Sequence, residues 1–267
     1  MNMEFLKTPR EYGRIRQIKE QVFVLFTPDI YTWEMIPCPE GLLVPEISYI
    51  TKYSMDGRML SREYFGRGVF EYKSDCIYNH LGQLIKTVST DPKGKEVVVN
   101  LTRYNEKGLE VESITFSESG KVDFVLTFRY DCASLLISVT DSFPDGRYDA
   151  NIIDCEHLPG LRKRIITHSN PKGRITGKKI HTYNERGDFL SIQEYDEKGN
   201  MYSRVRKSFD MHDNLIMREV SSYSESGIKE IFHKYEHFFD SQNNWIKIHI
   251  YEDDVLETII EREIDYY

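Results

Sequence analysis

The sequence predicts an all-β protein, a long antiparallel β-meander of repeated hairpins forming a curved or spiral open sheet. Three observations predict it. Turn signals recur every 12 to 14 residues through most of the chain. Between them apolar and polar residues alternate with the period of a strand. The composition disfavours helix: Ala, the best helix former, occurs twice in 267 residues, against 18 Tyr and 14 Phe.

The N-terminal part stands apart. Five of the nine prolines, Pro9, Pro28, Pro37, Pro39 and Pro45, fall before residue 46. Proline interrupts strand ladders, so residues 1–48 read as a cap region with one strand near Gln21 to Phe26. The segment Arg14 to Val24 is ambiguous between helix and strand. Residues 49–267 read as the repeat proper, packed with the cap as one unit.

The repeat is a glycine ladder. Glycines stand at 82, 94, 108, 120, 146, 160, 173, 187, 199 and 227, with Ser134 and Asp213 taking two vacant places. The residues before each glycine recur as well: Tyr104-Asn105-Glu106-Lys107-Gly108, Tyr183-Asn184-Glu185-Arg186-Gly187 and Tyr195-Asp196-Glu197-Lys198-Gly199 are near copies. Phe116 to Gly120 and Tyr223 to Gly227 form a second set. Each position has a physical role. Asn, Asp or Ser bonds the backbone two residues on, the next two residues take a type I turn, and glycine takes positive φ in the bulge that joins the strands. Gly108, Gly120, Gly187, Gly199 and Gly227 are therefore structural turn residues. Turns are expected near 80, 92, 106, 118, 132, 144, 158, 171, 185, 197, 211, 225 and 241. Between them lie strands such as Val122-Phe124-Leu126-Phe128 and Ile246-Ile248-Ile250, about 15 in all, and sheets that wide curl.

These Tyr-Asn/Asp-x-x-Gly turns between aromatic-rich strands resemble the YD repeats of the Rhs family over roughly residues 50 to 267. The closing stretch Phe239 to Trp245, followed by Ile259 to Ile264, is similar to the ends of small bacterial YD-repeat proteins. The unit here, about 26 residues, is longer than that family's, and no Rhs protease or toxin domain is recognisable. The resemblance implies a β-repeat scaffold used for binding or display, and it transfers no catalytic residue.

The charge balance narrows the partners. Lys and Arg number 35 against 43 Asp and Glu, a net of −8. Nucleic-acid binding needs a basic stripe, and the most basic stretch, Arg162-Lys163-Arg164 continued by Lys172 to Lys179, reads as a solvated strand face. Apolar runs such as Val22 to Phe26 fall far short of the ~20 residues of a membrane helix, so no membrane span is expected. The N-terminus has no signal-type apolar segment, which makes the chain cytoplasmic as written, or extracytoplasmic if a signal was removed. Cys38, Cys76, Cys132 and Cys155 form no Cys-x-x-Cys pair, so they read as reduced thiols and not as a zinc site.

No nucleophile, zinc-protease or phosphate-loop motif is present, and no cofactor or metal is called for. Asp154-Cys155-Glu156-His157 reads as a turn, Glu252-Asp253-Asp254 as the final one. The sharpest cluster is His233, Tyr235 and His237, which share one strand face. A three-residue loop Ser241-Gln242-Asn243 sets Phe239 opposite Trp245, Tyr235 opposite His249 and His233 opposite Tyr251. His233, Tyr235, His237, His249 and Tyr251 are thus gathered on one face; imidazole–aromatic packing is the expected role, with a ligand-contact strip and a transition-metal site as the alternatives. The function expected is a non-enzymatic β-repeat scaffold that binds a protein or a glycan. The alternatives are a polysaccharide-acting hydrolase and a structural or immunity-type partner of a larger Rhs-like protein.

Overall fold

In a computed structural model the described residues are 15–24, 26–28, 35–37, 45–144 and 151–267. The rest of the expected cap, and the ladder glycine at 146, lie outside them. The strands are β1 (Ile15–Val24), a short hairpin of β2 (Phe26–Pro28) and β3 (Met35–Pro37), then β4 (Ile47–Tyr53), β5 (Met59–Gly66), β6 (Val69–Tyr78), β7 (Leu84–Thr90), β8 (Glu96–Tyr104) and β9 (Glu110–Ser117). They continue as β10 (Val122–Tyr130), β11 (Leu136–Ser142), β12 (Asn151–Leu158), β13 (Lys163–Ser169), β14 (Ile175–Tyr183), β15 (Phe189–Tyr195) and β16 (Met201–Phe209). The last four are β17 (Leu215–Ser224), β18 (Gly227–Phe239), β19 (Trp245–Glu252) and β20 (Val255–Tyr266). Among the described residues the helical element is one 3-10 turn, Pro159–Leu161.

From β4 to β20 each strand pairs antiparallel with the next. β1 then seats between the two ends: Val22 lies opposite Ile260 of β20 on one side and Ile47 of β4 on the other. The result is a closed ring of 18 strands, not the open sheet expected. Closure removes both edges, which an open sheet of this width would leave as unpaired donors and acceptors. The residues that close it, Ile15–Val24, belong to the segment read as a cap.

The turns follow the ladder. Asp196 Oδ1 accepts from the backbone N–H of Lys198 (2.9 Å) and Asn200 (2.8 Å). Asn184 does the same for Arg186 (2.9 Å) and Asp188 (2.8 Å). Gly108, Gly187 and Gly199 have φ of 77°, 84° and 84°, and the substitutes Ser134 and Asp213 also turn left-handed, at 65° and 72°. Gly160 does not; it sits in the 3-10 turn. Gly227 differs in another way: Ser224 pairs directly with it, so this hairpin has a two-residue loop. Asp154 to His157 is strand, not turn, and the chain reverses only after Leu158. No neighbouring atom lies within 4 Å of where a Gly199 Cβ would stand, so replacement there strains the backbone alone. Gly199→Val is expected to cost about 1–2 kcal/mol in denaturant unfolding; an unchanged midpoint would show that the loop does not need its left-handed residue.

Opposed residues can be followed once round the ring on a single face: His233–Glu252, Tyr235–Ile250, Ile248–Ile260, Ile260–Val22, Glu20–Tyr49, Tyr49–Tyr64 and onward through Asn100–Thr115, Phe128–Val139, Cys155–Ile166, Ile166–Lys179, Val205–Val220 and Arg218–His233. This is the inner face. Burial is the leading cause of the shifts at Tyr49, Cys76, His168, His181, His233 and Tyr235, all on it. Lys234, Glu236 and Tyr251, on the other face, are shifted first by hydrogen bonds to one another. The inner wall has one dry patch, at the closing seam: Val22, Trp245, Ile248, Ile250 and Ile260, with Ile47 and Tyr235 against it. Elsewhere the wall is mixed, with apolar pairs such as Phe128–Val139 and Val205–Val220 among hydroxyl, amide and charged groups. Eighteen strands enclose more space than one layer of side chains can fill.

Candidate functional site

Two stretches of the inner wall concentrate chemistry. The first spans β4 to β9. Tyr49, Tyr64 and Tyr72 stand directly opposite one another on three successive strands. Tyr49 and Tyr64 have ring centroids 5.4 Å apart, tilted; Tyr64 and Tyr72 are stacked at 5.0 Å. The Arg62 guanidinium lies 5.4 Å from the Tyr49 ring centroid, and its Nε donates to Thr51 Oγ1 at 3.0 Å. Burial raises the phenol pKa of Tyr49 and Tyr64, so both keep their protons at neutral pH. Beyond the tyrosines the wall is hydroxyl and amide. Ser74 and Ser89 share a hydrogen bond of 2.8 Å, and Thr115 Oγ1 donates to Asn100 Oδ1 at 2.7 Å. Sequence reading missed this stretch because the three tyrosines meet only through pairing; the signal was present as the alternation of Ile47, Tyr49, Thr51 and Tyr53 in β4.

The second stretch holds part of the histidine cluster. His233, Tyr235 and His237 share the inner face, as expected. His249 and Tyr251 do not; they lie on the outer face, and this corrects the expected gathering of all five. Phe239 does face Trp245, but the next pair is Phe238 with Lys247. One residue is consumed by a bulge, so Tyr235 faces Ile250 and Glu236 faces His249. The cause is the loop itself. Asp240 Oδ1 accepts from Gln242 N (2.8 Å) and Asn244 N (2.9 Å), and Asn243 takes φ 62°. This is the same bulged turn that the glycine ladder encodes, and a one-residue slip moves a strand's whole set of side chains to the other face. On the outer face His249 packs edge-on against Phe238 at 4.9 Å, and Tyr251 donates to Glu236 Oε2 at 2.9 Å.

The corrected register sets Glu252, not Tyr251, opposite His233. His233 Nε2 lies 3.4 Å from Glu252 Oε2, with the His233 side chain 7% exposed. A second bulge, between Ile250 and Tyr251 where β19 meets β20, brings Glu257 to the same place: one ligand atom each of His233, Glu252 and Glu257 lie within 4.8 Å of one another. His233 Nδ1 and Glu257 Oε2 are buried and have no hydrogen-bond partner among the described residues. Burial lowers the His233 pKa, with Arg218 adding to it. Burial raises that of Glu257, helped by Glu252. His237 is differently engaged, its Nε2 bonded to Leu215 O at 2.8 Å.

Cys155 and His157, two apart on the inner face of β12, do not form a nucleophile and base. His157 Nε2 bonds Leu136 O at 2.7 Å, and the thiol receives Arg164 Nη2 at 3.2 Å. Outside the barrel, charged residues occupy mid-strand positions: Lys19 pairs with Glu263 (3.4 Å), Lys247 with Glu261 (2.8 Å), Arg206 with Glu219 (3.3 Å). An outward apolar strip lies on β7 to β9, where Val88 faces Val99, Val99 faces Phe116 and Leu101 faces Ile114, and the pairs Phe23–Ile259 and Ile165–Ile180 also stand outward.

No family model matches the chain, and no curated protein matches it. Similar solved structures exist at low identity. A porin-like protein from Bacteroides uniformis aligns over 97% of this chain and 100% of its own, at 10% identity and TM-score 0.44. A Photorhabdus luminescens Tc holotoxin pore aligns over 81% of this chain and 12% of its own, at 14% identity and TM-score 0.36. The TcdB2-TccC3 structure aligns over 75% and 14%, at 10% identity and TM-score 0.34. Among the described residues no helix is long and apolar enough to cross a membrane.

Proposed function

We propose that this chain is a non-enzymatic, YD-repeat-like binding scaffold whose ligand is a glycan held by the inner wall of β4 to β9. The observation that carries this is the Tyr49–Tyr64–Tyr72 row running into hydroxyl and amide groups. Aromatic faces offer apolar area to the C–H faces of sugar rings, at little side-chain entropy cost. The neighbouring Ser, Thr and Asn groups both donate and accept, as sugar hydroxyls require. Tyr72, 39% exposed, leaves one aromatic surface open. A folded protein partner fits this wall less well, because it is concave and lacks a contiguous apolar anchor.

The outer face supports action in water. Lys19, Lys247, Glu261, Arg206 and Glu219 stand at mid-strand there, and each Lys or Arg facing the bilayer midplane would cost up to about 2–4 kcal/mol, the carboxylates less. Outward apolar residues, the β7–β10 strip and the pairs Phe23–Ile259 and Ile165–Ile180, are interrupted at β16–β17 by Arg206 and Glu219, so they make no unbroken belt.

The test is a glycan array followed by calorimetry with the retained oligosaccharides. Tyr64→Ala is expected to weaken binding at least tenfold, since the middle ring supports both neighbours. Absence of any retained glycan, or affinity equal to the parent's in both Tyr64→Ala and Tyr72→Ala, would overturn the proposal.

A further inference from the structure

The register that displaced His249 and Tyr251 from the inner wall assembled something else there. We propose that His233, Glu252 and Glu257 bind one divalent metal ion of the zinc class. The site is independent of the glycan wall, since it lies on β18, β19 and β20 and its probe is a metal alone.

Geometry comes first. One imidazole nitrogen and one oxygen from each carboxylate lie mutually within 4.8 Å. The His233 Nε2 to Glu252 Oε2 distance of 3.4 Å matches the edge of a tetrahedron whose metal–ligand bonds are about 2.1 Å. Glu257 stands at a bulge, where a strand bends most readily to bring a donor in.

Unsatisfied polar groups come second. A His233 side chain that is 7% exposed keeps Nδ1 without a partner, and Glu257 Oε2 is buried in the same condition. Native interiors rarely tolerate such atoms, and each needs a cause. Two carboxylates held together beside an imidazole repel one another unless something positive lies between them. A cation held by His233 Nε2 and the two carboxylates answers the repulsion and the Glu257 oxygen; Nδ1, on the far side of the ring, is not one of its ligands. Arg218, opposite His233 on β17, is a positive group that faces the cluster; Asp253, at the β19–β20 turn, adds a further negative charge. The balance still favours a cation.

The donor set indicates which. One imidazole with two carboxylates suits zinc or a similar borderline ion, whereas calcium and magnesium prefer all-oxygen shells. Three protein ligands leave a fourth position for water or for a donor from a ligand. The frame is rigid, because Ile248, Ile250 and Ile260 of the seam patch stand on the same two strands as the carboxylates.

The experiment is zinc titration of the full chain by calorimetry, with metal content measured after dialysis. The expected result is one equivalent of zinc, with affinity reduced at least tenfold in His233→Ala and in Glu257→Gln. Glu257→Gln keeps the shape of the side chain and is checked for an unchanged circular dichroism spectrum, so loss of fold is not mistaken for loss of a ligand. Glu236→Gln, on the outer face of β18, should bind as the parent does. No stoichiometric binding, or binding of equal strength in the parent and in Glu257→Gln, would overturn the proposal.

Discussion

Trp245→Ala lowers the stability of the barrel by about 3–5 kcal/mol, the usual cost of emptying a buried tryptophan site. Trp245 is 2% exposed at the start of β19 and belongs to the seam patch with Val22, Ile248, Ile250 and Ile260. The ring also supports an ion pair. The Arg262 guanidinium lies 3.5 Å from the Trp245 ring centroid, and Arg262 Nε donates to Glu20 Oε2 at 2.8 Å. Removing the indole therefore opens a cavity and loosens the charge pair between β20 and β1 in one step, where the ring is closed. Urea unfolding measures the loss, and Ile248→Val, a single methylene at a site 0% exposed, serves as the small-change reference at about 1 kcal/mol. A loss below about 1 kcal/mol for Trp245→Ala would mean that the seam is not where the barrel's stability resides.

Acid weakens the inner wall well before carboxylates titrate. His181 faces Arg164 of β13 and Ile192 of β15, and its ring meets Phe189 edge-on at 5.0 Å. Burial, then the charges of Arg164 and Lys179, lower its pKa from 6.5 to about 4, against a smaller opposing effect of Glu194. Neither ring nitrogen has a hydrogen-bond partner among the described residues. His168, lowered by burial and by Lys179, acts in the same direction. The sign follows from the depressed folded-state value. Between pH 6.5 and 4 the unfolded chain takes up protons that the folded chain refuses, so stability falls as pH drops through that window. For the half-buried His181, solvent screening leaves about 1–3 kcal/mol of the effect. His181→Leu removes it, so the variant's melting temperature should change less than the parent's between pH 6.5 and 4. Parallel profiles for the two would refute this account.

The turns were legible in the sequence because their chemistry is local. An Asn or Asp that bonds two backbone N–H groups, followed by a left-handed residue, leaves its mark within five positions, and even the substitutes Ser134 and Asp213 keep the conformation. The register was not legible, because each such turn inserts a bulge that counts as one extra residue in the pairing beyond it. That residue decides whether His233 meets Tyr251 or Glu252. β1 was ambiguous for a related reason. Ile15, Ile18 and Val22, its buried positions, are spaced three and four apart like a helical stripe. The register shift between Ile15 and Gln17 restores them to one face of a strand. Closure was not legible at all, since it depends on β1 finding partners at the far end of the sequence and not on any pattern within the repeat.

That closure sets an order in time. Most of the ring is built from neighbours in sequence, so β4 to β20 can zip hairpin by hairpin, each new strand waiting only for the one before. β1 is the exception: Ile15 pairs with Tyr266 and Val22 with Ile260, and neither contact can form until β20 exists. The strand synthesised first among those of the ring is thus seated last on its far side. Loop closure over such separations is slow. Until it happens, β20 presents an edge able to capture β1 from another copy. The rate of that one docking step, relative to encounter between chains, governs whether refolding yields single closed rings or strand-exchanged assemblies, and dilution tips the outcome toward the former.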